Sequence, residues 1–168
     1  METARMHMPH PDRDRRIADF IERYGRQVER SGGPAMAGRI VALLLVSEER
    51  VLSSSDIAEA LQTSSGTVST NTRLLQQLGW LERVRRPGQR GVYFRIRPHA
   101  IHRIFDDMVD KVTTMRGIID YVAEALPAPQ RDRIDEIRDF YAFLEEELPG
   151  VLARWHARHE VPVQEELG

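Results

Sequence analysis

The chain has 168 residues, 41% hydrophobic and 30% charged, which suits one globular domain or a small domain with an assembly element. It has no cysteine, which excludes disulfides, thiolate metal sites and thiol redox sensing, and a reducing, cytoplasmic setting is expected. The net charge of −2 is unevenly spread: Ser64–Arg103 holds eight arginines against one acid, net +7, while Tyr121 onward holds five arginines against eleven acids, net −6. A local basic surface of this kind steers a protein to phosphate, whatever the charge of the whole chain.

Taken in order, residues 1–14 are polar and contain proline, and a disordered leader is expected there. Ile17, Phe20, Ile21, Tyr24 and Val28 recur at helical spacing, so a first helix is expected within 15–32. Ser31-Gly32-Gly33-Pro34 ends it. The run Ile40–Val46 is apolar all round and predicts the buried centre of the domain. It is far too short to cross a bilayer, and the first residues lack a signal-peptide core, so no membrane association is expected.

Val51-Leu52 predicts a short strand. Ser53 with Asp56 forms a capping box at the start of a helix through Leu61, and Ser64 caps a second helix that ends near Gly79. Trp80–Arg86 then pairs with Gly91–Arg97 as a hairpin. That order is a winged helix-turn-helix, placed over 33–98.

The remainder, 99–168, is helical. Ile101, Phe105, Met108, Val112, Met115, Ile119, Val122 and Leu126 follow at alternating spacings of four and three, a heptad seam. Pro127 and Pro129 break it. Ile134, Ile137, Tyr141, Leu144 and Leu148 repeat the alternation, and Pro149-Gly150 is expected to break again before a short terminal helix with Val151, Leu152 and Trp155. The expected architecture is mainly α with a small β-hairpin wing, the winged domain being flanked by N- and C-terminal dimerisation helices. One winged domain offers too little surface to bury all these apolar stripes, so a homodimer is expected.

Within the second helix of the motif, Val68, Leu75 and Leu78 share one face and are expected inside. Ser65, Gly66, Ser69, Thr70 and Arg73 fall opposite, where small hydroxyl residues allow close approach to a groove. Free amides near Ser65 and Gly66 favour a phosphate. In the hairpin, Val92, Phe94 and Ile96 alternate with Tyr93, Arg95 and Arg97. Arg85, Arg86 and Arg90 cluster about the tip at Pro87-Gly88 and suit a minor groove. The expected DNA contacts are therefore Ser64, Ser65, Gly66, Thr67, Ser69, Thr70, Arg73, Arg85, Arg86 and Arg90.

Gly33-Pro34-Ala35-Met36-Ala37-Gly38-Arg39-Ile40, Leu61–Ser69, Leu78–Val84 and Pro87–Arg90 resemble the winged domain of GbsR/MarR-like regulators. The resemblance covers Gly33 to Arg97, and the outer helices match only in character. It implies a dimeric, cytoplasmic transcriptional regulator, often a repressor released by a small ligand, acting on double-stranded DNA at a pseudo-palindromic operator. Two positions depart from the family pattern. Gln62-Thr63 stands where the inter-helix turn often carries glycine, so a remodelled turn is expected. Gln89 stands where an acid often precedes the wing arginine, so an orienting salt bridge to Arg90 is expected to be missing.

GbsR-like relatives include a choline sensor, and a quaternary ammonium needs an aromatic cage, for which Tyr24, Trp80 and Phe105 are candidates. His99 with His102, and His156 with His159, stand three apart, but nearby carboxylates are not at motif spacing and no cysteine helps, so no metal and no cofactor are expected. No phosphate-cradling glycine loop or nucleophile motif is present, and Ser53–Ser55 is explained by capping, so no enzymatic activity is expected. The rival to a DNA-binding regulator is a winged-helix protein–protein adaptor.

Overall fold

The computed structural model describes residues 11–88 and 91–159. The chain forms two compact units, one ending at Ala100 and one starting at Ile101. Pro11 opens α1 (Pro11–Arg30), and Asp12 and Asp14 lie in its first turn, where the helix end favours acids. The helix thus takes in four residues expected to belong to a disordered leader. Residues 1–10 lie outside the described set.

α1 packs against α2 (Ala35–Val46) through two glycines. A Cβ on Gly38 would stand 2.8 Å from Val28 Cγ2 and 3.0 Å from Gly25 Cα, so the crossing needs bare backbone on both helices. Ile40, Val41 and Leu44 of α2 are buried as the apolar run predicts, but Leu45 is half exposed. A helix packed on this side leaves one edge in solvent even when its sequence is apolar all round.

The rest of the first unit wraps α2. β1 (Leu52–Ser53), α3 (Ser54–Ala60), α4 (Ser65–Gln77), β2 (Leu81–Val84) and β3 (Tyr93–Ile96) follow in order. The strands form an antiparallel sheet in the order β1-β3-β2, with Leu52 opposite Phe94 and Glu82 opposite Arg95. One core joins Ile40, Val41 and Leu44 to Ile57 of α3, Val68 and Leu75 of α4, Leu81 of β2 and Phe94 of β3.

The second unit is a helical hairpin of α5 (Ala100–Ala123) and α6 (Ala128–His159). His102 meets His156, Arg116 meets Glu145, and Arg138 donates to Asp120 at 2.5 Å, so the two helices run antiparallel. Hydrogen bonds from Thr113 first, then from Arg116, hold the Glu145 carboxyl below the usual carboxylate range. α6 is one helix: Pro149 lies inside it and does not break it, contrary to expectation. Proline removes a single backbone donor there, and buried Leu152 one turn later keeps the helix seated.

The heptad seam of α5 divides in two. Val112 and Ile119 are buried, whereas Ile101, Met108, Met115 and Val122, each seven residues from the last, are exposed. Two helices cannot cover both stripes of one seam. Among the described residues, no helix is long and apolar enough to cross a membrane.

Candidate nucleic-acid interface

Local chemistry sets the two helices of the motif. Ser53 caps α3: its hydroxyl accepts from the Asp56 amide at 3.0 Å, and its amide donates to the Asp56 carboxylate at 2.9 Å. Hydrogen bonding to the carboxylate from the Ser53 hydroxyl first, then from the Ser53 amide, holds the Asp56 carboxyl below the usual carboxylate range, and nearby Arg86 adds to the effect. Ser64 caps α4 by accepting from the Thr67 amide at 3.1 Å.

Both helices end in the same way. Trp80 N donates to Leu75 O at 2.9 Å and Gly79 N to Gln76 O at 3.1 Å, with Gly79 at φ 78°. At the inter-helix turn, Thr63 N donates to Ala58 O at 2.9 Å and Gln62 N to Glu59 O at 3.1 Å, with Gln62 at φ 49°. The turn is therefore not remodelled. It keeps the geometry that glycine favours, with glutamine held in the left-handed region.

α4 has two clean faces. Val68, Asn71, Thr72 and Leu75 are buried, while Ser64, Ser65, Gly66, Ser69, Thr70 and Arg73 are exposed. Leu78, expected inside, is 47% exposed. It stands beyond the last helical residue, where the turn at Gly79 carries it off the core-facing line. Thr67 is half-buried and its hydroxyl pairs with that of Ser64 at 2.8 Å, so these two hydroxyls serve the cap first. The amide of Asn71 donates to Thr67 O and the hydroxyl of Thr72 to Val68 O.

The wing arginines fall into two groups. Arg95 pairs with Glu82 directly across the hairpin at 2.5 Å. Arg86 lies 5.2 Å over the Tyr93 ring and reaches Val51 O at 3.4 Å and Glu49 at 3.5 Å. It ties the wing to the segment before β1. Arg83 and Arg85 are exposed and make no ion pair among the described residues. Gln89 and Arg90 lie outside the described residues.

Sequence reasoning missed three members of this surface. Gln77 is exposed four residues after Arg73, a spacing that helical periodicity alone puts on the same face. Arg83 is exposed on β2, and its sequence position reveals its charge but not its placement. The acid that engages Arg86, Glu49, has no local spacing rule that would reveal it.

The candidate effector aromatics are not grouped on one element. Tyr24 and Trp80 pack against the core of the first unit, and Phe105 belongs to α5 in the second. Of the histidines, His99 precedes α5 at φ 56°, and the ring of His102 meets that of His156, with centroids 4.3 Å apart. The side chain of His159 lies outside the described set. No group of three or more metal-ligating side chains occurs among the described residues.

Comparison with known proteins matches both parts of the chain to one family. Residues 31–90 match a model of the MarR family, and residues 99–158 match a model described as an MmpR5-like MarR family transcriptional regulator. The HTH-type transcriptional regulator MmpR5 of Mycobacterium tuberculosis is 35% identical over 145 residues, covering 84% of this chain and 88% of that protein. A crystal structure described as a transcriptional regulator is also 35% identical, with a TM-score of 0.74 over 85% of this chain and 99% of that one. The matched models are MarR models, so the GbsR part of the resemblance rests on the sequence alone.

Proposed function

Because this chain belongs to the MarR family of DNA-binding transcriptional regulators, which are not enzymes, we propose that it acts as a homodimeric repressor at a pseudo-palindromic operator. Each subunit lays α4 in a major groove and sets its wing on the flanking backbone. The observation that carries this reading is the contrast between the two faces of α4. The inner face is buried, and the outer face bears only small residues and Arg73 up to its last turn, beside a wing with exposed Arg83 and Arg85. The proposed contacts are Ser65, Gly66, Ser69, Thr70, Arg73 and Arg85, which are exposed, with Arg90, which lies outside the described residues. Ser64, Thr67 and Arg86 stay among the proposed contacts and also serve locally, the first two in the cap and Arg86 in holding the wing.

The dimer is supported by the second unit. Ile101, Met108, Met115 and Val122 form an exposed apolar stripe on α5, and Ile137, Phe140 and Phe143 are exposed on α6. Faces of this extent belong against a partner, and a second copy with the same heptad spacing fits. Release by a small effector is the final part of the proposal. Its candidate place is an open surface depression of about 560 Å³ lined by Ile17, Phe20 and Val46 with Asp12, Arg13 and Arg16. A cationic ligand caged by Tyr24 and Trp80 has less support, since the core holds both rings.

Footprinting of the full-length protein on the DNA upstream of its own gene tests the operator reading. Two protected half-sites about one helical turn apart, or a small multiple of it, are expected. A single short protected patch would overturn the dimeric operator. No protection at all would favour the adaptor.

A further inference from the structure

We infer that Arg73 is the specificity-determining residue of this surface, reading one guanine in each half-site through its O6 and N7 edge. Arg83 and Arg85, on the same inference, bind phosphate without regard to sequence. This rests on the operator reading above and adds to it the residue that reads.

The placement follows from the buried face of α4. Val68, Asn71, Thr72 and Leu75 define the line that faces the core. Gly66, Thr70, Arg73 and Gln77, spaced four, three and four apart, lie on the line opposite at 3.6 residues per turn. Ser65 and Ser69 stand to one side. A groove that receives α4 therefore meets the Gly66–Gln77 line at its floor and the two serines at one wall. Gly66 and Thr70 are short, so no side chain before Arg73 on that line holds the helix away from the bases.

The donors of Arg73 are also unspent. α4 contains no acid, and Arg73 makes no ion pair among the described residues. By contrast Arg39, Arg86, Arg95, Arg116 and Arg138 each meet a carboxylate. Of the other polar side chains near the middle of α4, Asn71 and Thr72 are committed to Thr67 O and Val68 O, and exposed Ser69 and Thr70 offer one short hydroxyl each rather than a paired fork of donors. A planar fork with free donors at the centre of a groove-facing line matches the paired acceptors of guanine. Arg83 and Arg85 lie on and just after β2, away from that line.

Selection of binding sites from a random duplex pool tests this with the full-length wild-type protein, Arg73→Ala and Arg85→Ala. Arg73 is exposed, so the substitution leaves the fold intact, which circular dichroism verifies. The wild type is expected to select a two-fold symmetric motif with one fixed guanine per half. Arg73→Ala should keep every other position and lose discrimination at that base pair by roughly 10-fold to 100-fold. Arg85→Ala should keep the whole motif and reduce the slope of log affinity against log salt by about 0.9. If Arg73→Ala weakens binding equally on all sequences while the motif stays intact, Arg73 is a phosphate contact and the inference is overturned, with the operator reading standing. If the wild type selects no motif, the operator reading itself fails, and the inference with it.

Discussion

Gln62 holds φ 49° at the turn between α3 and α4, and the hydrogen bonds around it are those of a helix stop built for glycine. A residue with a Cβ in the left-handed region carries roughly 1–2 kcal/mol of strain. Gln62→Gly removes that strain and adds back part of it as chain entropy in the unfolded state. The expected outcome is a gain of roughly 0.5–1 kcal/mol, read as a higher urea midpoint with unchanged slope. An unchanged or lower midpoint would mean that the turn is not strained. Spacing made the caps at Ser53 and Ser64 legible, because a cap depends on residues three apart. The roles of the arginines were not legible. Its place at the wing tip marks Arg86 as a groove contact, but its contacts with Tyr93, Val51 and Glu49 have no sequence signal, since such partners come together only when β1 and the wing are assembled.

At the scale of elements, periodicity gave the helices of the motif, the short strand at Leu52 and the pairing of β2 with β3. It failed where an element's fate depends on a neighbour. Pro149 reads as a breaker, yet α6 runs through it because burial further along holds the helix. The seam of α5 reads as one stripe, yet only half of it turns inward. The contact of α1 with α2 was silent in the sequence, since an isolated glycine in a helix carries no periodic signal. Gly38→Ala places a methyl against Val28 Cγ2 and Cβ at 2.8 and 2.9 Å, with the Gly25 backbone at 3.0 Å behind. The helices must then move apart, at an expected cost of about 1–3 kcal/mol in urea unfolding. A cost near zero would show that the crossing is looser than these distances imply.

For the molecule as a whole, the charge map is the feature that points to its work. A chain of net charge −2 concentrates arginine in and after the helix-turn-helix and acid in its last helices. Folding then cancels some of that positive charge and spares some. Arg95 is neutralised across the hairpin by Glu82, whereas Arg73, Arg83 and Arg85 stay exposed on the motif. On the proposed function, this spared charge drives a salt-sensitive, sequence-selective attachment to duplex DNA. Fluorescence anisotropy of the full-length protein, with the duplex upstream of its own gene and a scrambled duplex of the same length over a salt series, tests that most directly. Tighter binding to the native duplex is expected, with log affinity falling linearly in log salt by about 0.9 for each phosphate contact. Equal affinity for the two duplexes, or affinity indifferent to salt, would contradict it.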